Sequence, residues 1–308
     1  MERFLKLSPN KTVVIIAGPT AVGKTAVAID IAAHFQTEII SADSRQCFKE
    51  MNIGVARPSV EELQQVPHHF IASHSIQEEV TAATFEQYAL KKTDELFQKH
   101  DRIVMTGGTG LYIKAFCEGL DEIPEVPLQV RNTIVTKYEQ QGLDWLQNEI
   151  KERDPEFYGK GEIENPQRMM RALEVVEATG HSILYFRKGK KTRRDFAIIK
   201  AGLELPKEEL HQRINNRVDK MIADGLPGEV KKLLPYKQMN ALQTVGYTEL
   251  FEFWENKKSL AKAVEEIKIH TRQYAKRQMT WFKKDKEIEW FTSGSAILQW
   301  LKKNYKPA

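Results

Sequence analysis

Residues 12–25 read TVVIIAGPTAVGKT, and this stretch decides the fold. Residues 12–17 are an unbroken apolar, β-branched run, the pattern of a parallel strand buried on both faces. Gly18-Pro19-Thr20-Ala21-Val22-Gly23-Lys24-Thr25 matches G-x-x-x-x-G-K-[ST] in full. Residues 26–35 then read as a helix, so the motif lies between strand and helix, the context that makes it a P-loop. Its glycines let successive backbone N–H groups turn inward, and the helix adds its positive end. Lys24 supplies a mobile cation for phosphate oxygens, and the Thr25 hydroxyl can hold Mg²⁺. Gly18, Thr20, Ala21, Val22, Gly23, Lys24 and Thr25 are therefore candidates for holding a polyphosphate. The motif does not say that this polyphosphate is a nucleoside triphosphate.

Outward from the loop, residues 38–41 (EIIS) and 102–106 (RIVMT) read as short strands, with helical spacing over 85–100 between them. Residues 195–203 (DFAIIKAGL) read as another strand. Strands alternating with helices predict an α/β core with a mostly parallel, P-loop NTPase-like sheet. Pro124, Pro127 and Pro155 punctuate a helical stretch over 129–179 without a convincing strand. We read 121–190 as a helical insertion domain between the two parts of the core, 1–120 and 191–308. The basic run 188–194 (KGKKTRR) is expected as an exposed loop closing it, and 210–234 and 260–284 as long helices.

The usual companions of an ATPase are weak. The strand at 102–105 leads into Thr106-Gly107-Gly108 instead of an acid, and no N-K-x-D guanine-reading motif occurs. The acid beside the P-loop is Asp43, within Ser41-Ala42-Asp43-Ser44-Arg45-Gln46. It can hold Mg²⁺ and a small acceptor as in small-molecule kinases, act as a general base facing a transferred group, or merely cap a loop.

GPTAVGKT (18–25), SADSRQ (41–46), GGTGLYIKA (107–115), NPQRMMRALEV (165–175), RINNRVDKMIADGL (213–226), Val245-Gly246-Tyr247 and RQYAKRQMTWF (272–282) form an ordered series. Over nearly the whole chain, this series resembles the motifs of the tRNA dimethylallyltransferases (isopentenyl-tRNA transferases). The resemblance implies alkyl transfer, with the exocyclic amine of the adenosine 3′ of the anticodon attacking the first carbon of dimethylallyl diphosphate. The P-loop residues would then hold a diphosphate, with Mg²⁺ as cofactor. Charge accumulates on that leaving group, so fixed donors stabilise the transition state more than the ground state. By the same resemblance Asp43 is the general base, while Thr109 and Arg217 donate to the diphosphate. Arg213, four residues before Arg217, shares its helix face and is easily confused with it.

A stacked base cannot be modified in place, so the tRNA anticodon stem-loop is expected to present an extruded adenosine. The resemblance carries tRNA contacts onto Asp43, Ser44, Arg45, Gln46, Thr109 and Arg131. Gln167, Arg168, Met169, Met170 and Arg171 form a further contact window, as do Gln243, Gly246 and Tyr247, and Lys276, Arg277 and Gln278. Within these windows we expect the polar side chains to meet RNA and the apolar ones, including Met169 and Met170, to pack. Trp281 and Phe282 are read as core. His68-His69 is not read as a metal pair, because no acid or cysteine stands nearby at ligand spacing.

The chain of 308 residues is 41% hydrophobic and 29% charged, ordinary for a soluble enzyme. No run approaches the roughly 20 apolar residues of a membrane span, and no signal peptide is visible. A cytoplasmic monomer is the expectation. Two cysteines, Cys47 and Cys117, exclude a disulfide framework. They also exclude the Cys₂His₂ finger of eukaryotic relatives, so the chain looks bacterial. Residues 256–308 carry 13 Lys and Arg against 5 Asp and Glu, a net +8 within an overall +4. That asymmetry suits a polyanionic partner or, equally, solvated helix faces. Three alternatives stand beside the main reading: a small-molecule kinase, an adenylate isopentenyltransferase acting on a free nucleotide, and a non-catalytic RNA-binding module. The kinase is disfavoured because the lid-arginine pattern it needs is absent, although the helical insertion could serve as a lid. The insertion, the 167–171 cluster and the basic C-terminal region favour a macromolecular acceptor over the free-nucleotide enzyme. A complete P-loop with Asp43 and Thr109 argues against the third.

Overall fold

A computed structural model of the chain describes residues 11–189 and 191–304. β1 (Thr12–Ala17) leads into α1 (Lys24–Phe35), β2 (Ile39–Ser41), α2 (Val60–Gln65), β3 (His68–His69), α3 (Ala82–Phe97), β4 (Arg102–Gly107) and α4 (Gly110–Glu118). Four helices follow: α5 (Leu128–Arg153), α6 (Pro155–Lys160), α7 (Pro166–Thr179) and α8 (Ile183–Phe186). The chain then forms β5 (Ala197–Leu203), α9 (Lys207–Ala223), α10 (Leu226–Leu233), α11 (Tyr247–Trp254), α12 (Leu260–Phe282), β6 (Ile288–Phe291) and α13 (Gly294–Asn304).

The strands make one parallel sheet in the order β3-β2-β4-β1-β5-β6. The α/β, P-loop-like fold expected from residues 12–25 is the fold observed. β1 is central, and its alternation sends neighbouring side chains to opposite faces. Val13, Ile15 and Ala17 pack with Phe85, Phe116 and Tyr112, while Val14 and Ile16 pack with Ala28, Ile31 and Ala32 of α1 and Leu301 of α13. Burial on both faces is why this strand reads as a continuous apolar run. The register aligns Ala17 with Gly107, and Ser41 with Thr106, so β1, β2 and β4 end level. Their following loops therefore emerge together at the carboxyl edge of the sheet, where open α/β sheets bind ligands.

The described residues divide into two compact units, one ending at Cys117 and resuming at Arg193, the other Glu118–Thr192. The second unit has its own core of Ile134, Leu146, Ile150, Phe157, Met169, Met170, Leu173 and Val175. α5 is interrupted at Gly142, whose φ of 76° and ψ of −164° lie outside the helical region. Asn165 caps α7 by accepting from Arg168 N, and Gly180 ends it in the left-handed conformation.

Several boundaries differ from the sequence reading. Residues 210–234 are two helices, because Gly225 adopts φ 100° and Pro227 follows at the start of α10. β3 has only two residues, and β6 (IEWF) has Glu289 and Trp290 interrupting any simple pattern, so neither carries a periodic signal. α13 was likewise not foreseen. Lys190, within the expected loop 188–194, lies outside the described residues.

Tyr247, expected to meet tRNA, is fully buried instead. Its hydroxyl donates to Glu229 Oε1 at 2.6 Å, and Glu229 also accepts from the backbone of Asn52, Ile53 and Gly54. Gly54 has no room for a Cβ, which would stand 2.5 Å from the Tyr247 ring. This carboxylate thus ties the 52–54 loop to α10 and α11. Met169 and Met170, members of the 167–171 contact window, pack as expected: both are buried core residues of the second unit and do not meet tRNA. Of the pair read as core, Phe282 is buried as expected, but Trp281 is 37% exposed and is corrected.

Tyr247→Phe removes one hydrogen bond to a charged acceptor, and is expected to lower the unfolding free energy by about 1.5–3 kcal/mol, measured by urea denaturation. An unchanged midpoint would show that Glu229 holds the loop without it.

Candidate active site

Three loops converge at the level strand ends: 18–23 after β1, 42–46 after β2 and 107–109 after β4. Their close approach demands glycine at two positions in particular. At Gly18 the φ is 147° and a Cβ would lie 2.6 Å from Leu203 O; at Gly107 it would lie 2.1 Å from Ala42 O. Ala42 N donates to Thr106 O at 2.7 Å, and Thr109 N donates to Ala42 O at 3.2 Å, so the second and third loops are laced together.

Gln278, on α12, joins the first loop to the third. Its Oε1 accepts from Thr20 N at 2.8 Å and its Nε2 donates to Gly108 O at 2.9 Å. Gln278, expected to meet tRNA, is instead buried with both ends of its amide committed to the loops that wall the P-loop cavity. Lys24 Nζ donates to Pro19 O at 2.7 Å, which curls the ammonium over the loop.

Asp43 Oδ1 accepts from Arg45 N at 2.9 Å and Gln46 N at 3.2 Å, the self-turning habit of Asp in a loop. Its Oδ2 carries no hydrogen bond from a described residue. Thr109 Oγ1 accepts from Ser44 N at 3.0 Å and donates to Ser44 Oγ at 3.3 Å. The second bond is long, so a ligand oxygen can take that proton over.

Two cavities meet here. One of about 80 Å³ is walled by Lys24, Thr25, Ser41, Gly107 and Gly108. One of about 590 Å³ is walled by Ser44, Arg45, Gln243, Gly246, His270 and Arg277 among others. Four residues line both: Thr20, Asp43, Arg217 and Tyr274. The small cavity sits on the P-loop, and Asp43 therefore stands between a phosphate site and a larger chamber.

The charges are strongly coupled. Burial lowers the Lys24 pKa most; Asp43 opposes this and Arg217 adds to it, leaving about 8. Burial also lowers the Arg217 pKa, again opposed by Asp43, although a guanidinium stays charged. Arg213, one turn earlier, is exposed and pairs with Glu209 at 2.8 Å, so Arg217 is the arginine of the cavity. Thr25 and Asp43 line the small cavity together. A hydroxyl and a carboxylate beside a phosphate site suit Mg²⁺, which takes one or two protein oxygens and completes its shell with phosphate and water. Among the described residues no group of three His, Cys, Asp or Glu is arranged to hold a metal. His69 instead pairs with Glu38 at 2.6 Å, and His68 Nδ1 bonds Val66 O at 2.8 Å.

The other sequence-derived residues divide. Ser44, Arg45, Gln243, Gly246 and Arg277 line the large cavity. Arg45 also donates to Asn240 O at 3.1 Å, and Gln243 to Lys237 O at 2.5 Å. Gln46 spends its amide on Val55 O and Ala56 O, holding the neighbouring loop and not pointing a donor outward. Lys276 is exposed on α12. In the second unit Gln167 and Arg168 are exposed. Arg171 and Arg131 approach the buried Glu174, at 3.0 and 3.9 Å. Sequence reasoning did not single out Tyr274 or His270; the signal available was that Tyr274 and Gln278 stand four apart on one helix face.

The family model described as IPP transferase matches residues 46–285. A tRNA dimethylallyltransferase of Christiangramia forsetii is 50% identical over 276 residues, covering 90% of this chain and 91% of that protein. One from Flavobacterium johnsoniae is 45% identical over 305 residues, covering 96% and 99%. Among solved structures, the tRNA isopentenylpyrophosphate transferase of Bacillus halodurans superposes with a TM-score of 0.69 at 30% identity, covering 96% of this chain and 95% of that one. A eukaryotic dimethylallyltransferase acting on tRNA gives 0.76 at 26% identity, covering 96% and 76%.

Gln278→Ala frees both loops and is expected to weaken inorganic diphosphate binding by about tenfold, roughly one lost hydrogen bond's worth of positioning, measured by calorimetry. Wild-type affinity for diphosphate should fall as pH rises through about 8, because Lys24 loses its charge there. In Lys24→Arg, whose charge persists, that fall should vanish, which separates it from titration of the ligand. An equal fall in both proteins would remove Lys24 as its source.

Proposed function

The chain belongs to the IPP transferase family of tRNA dimethylallyltransferases and transfers a dimethylallyl group to tRNA; we propose that the donor is dimethylallyl diphosphate and the acceptor the exocyclic N6 amine of the adenosine 3′ of the anticodon. The observation that carries this reading is that Asp43 and Arg217 line both the P-loop cavity and the large cavity. A diphosphate on one side and a flipped base on the other meet at those two side chains.

The amine lone pair forms the N–C bond to the first carbon of the dimethylallyl group as the C–O bond breaks, its electron pair leaving with the diphosphate. Asp43, through the oxygen left open, takes the proton that the amine loses. An adenine amine becomes acidic only as the bond forms, so a carboxylate of ordinary basicity serves. Lys24, Arg217, the P-loop N–H groups and the Thr109 hydroxyl face the charge that builds on the leaving group. Mg²⁺, held by Thr25 and the diphosphate with Asp43 beside it, would supply further charge neutralisation there.

Arg45, Gln243 and Arg277 on the chamber wall, with Lys276 beside them, are the proposed RNA contacts of the first unit. Arg131, Gln167, Arg168 and Arg171 are those of the second. Tyr247, Met169, Met170, Gln46 and Gln278 serve structure instead. No described helix is long and apolar enough to cross a membrane, and a tRNA substrate accords with the cytoplasm.

Incubation of radiolabelled dimethylallyl diphosphate with unmodified tRNA and Mg²⁺ tests the reading. Label should enter tRNA and drop by about 100-fold or more in Asp43→Ala. Label entering free AMP but not tRNA, or turnover of ATP alone, would replace it with a nucleotide transferase or a kinase.

A further inference from the structure

The proposed reaction moves a five-carbon allylic group from the small cavity to the large one. The reacting carbon must stand where the two cavities share walls, and those walls are Thr20, Asp43, Arg217 and Tyr274. Thr20 belongs to the P-loop, Asp43 faces the acceptor and Arg217 faces the diphosphate. Tyr274 has no role in that scheme, and it alone among the four offers an apolar surface and a π face. The remaining apolar side chains of the chamber, such as Val218, Met221 and Ile267, line the large cavity only.

We propose that Tyr274 is a catalytic residue whose ring walls the dimethylallyl group and stabilises the positive charge that develops on its allylic carbons during transfer. As the C–O bond lengthens ahead of full N–C bonding, that group carries carbocation character spread over two carbons. Of the other shared walls, the Arg217 guanidinium repels such charge, the Thr20 hydroxyl offers one small dipole with no extended face, and the Asp43 carboxylate is engaged with the amine proton. An aromatic face attracts a cation through its quadrupole. The geometry offers that face: the side chain is 38% exposed although it projects from the middle of α12, so the ring is open to the cavities. Burial, assisted by Asp43, raises its phenol pKa to about 12, which keeps the ring neutral. Arg277 stands 5.8 Å from the ring centroid, near the outer limit of a useful cation–π contact.

This inference rests on the transferase reading, so wild-type transfer to tRNA is measured first; its absence would sink both. Given transfer, single-turnover rates are compared for Tyr274→Phe, Tyr274→Leu and a series with phenylalanine bearing one, two or three ring fluorines at 274. Phe should stay within about threefold of wild type, and Leu should be slower by about 5- to 30-fold with little change in KM for tRNA. The logarithm of the rate should fall stepwise with each fluorine, which weakens the π face while leaving the ring's shape nearly unchanged. Leu equal to Phe, or a flat fluorine series, would overturn the proposal. So would a loss confined to the KM for tRNA, which would make the ring a platform for the base. If Leu proves unstable, the fluorinated series alone decides.

Discussion

The phosphate site depends on one side-chain amide. Gln278 is the tie between Thr20 of the P-loop and Gly108 of the loop after β4, and it works because an amide has a donor end and an acceptor end. A glutamate there would present no donor to the Gly108 carbonyl, and a lysine no acceptor to Thr20 N–H. Either would leave a buried backbone group unpaired, which costs more than the bond itself contributes. Level strand ends bring the loops together, but the amide sets how far apart they stand. The glycine at 108 is its counterpart, since a Cβ there would lie 2.3 Å from the Gln278 nitrogen.

Within that frame the site is a charge arrangement awaiting an anion. Lys24 and Arg217 face a single carboxylate, and burial disfavours the charged form of each cation. Entry of a diphosphate replaces repulsion between the two by attraction to a common partner. On the proposed reading, binding energy is thereby tied to the groups that meet the leaving group in the transition state, where its charge is greatest. Ligand binding should accordingly tighten the native state by ordinary linkage.

The core of this protein was legible because its signals are local. Residues 12–25 contain a strand, a turn and a helix start in one window, and both faces of β1 are covered, which leaves a run of apolar residues that no other structure explains as well. Asp43, Thr109 and Arg217 were reached by motif; the first two lie on the converging loops, and Arg217, on α9, lines both cavities. What escaped were features decided by tertiary partners. Two-residue β3 is a strand only because β2 lies beside it. Tyr247 sits in a window that otherwise faces the chamber, yet Glu229, eighteen residues earlier, draws its hydroxyl inward. Gln46 and Gln278 look like exposed amides ready for RNA, and only the positions of Val55, Ala56, Thr20 and Gly108 show that those amides are already engaged. A motif marks which residues matter and says little about whether they touch ligand or hold the groups that do.

The narrow overlap of the two cavities makes donor chemistry and acceptor choice nearly independent modules. Val218, Met221 and Ile267 shape the chamber without bordering the P-loop, and Lys24 and Thr25 border the P-loop without entering the chamber. With the acceptor in the chamber as proposed, reshaping it retunes which bases or bulkier allylic tails are accommodated while the electrostatics of the leaving group stay intact. Only four positions are shared, and at those four neither module can drift without the other.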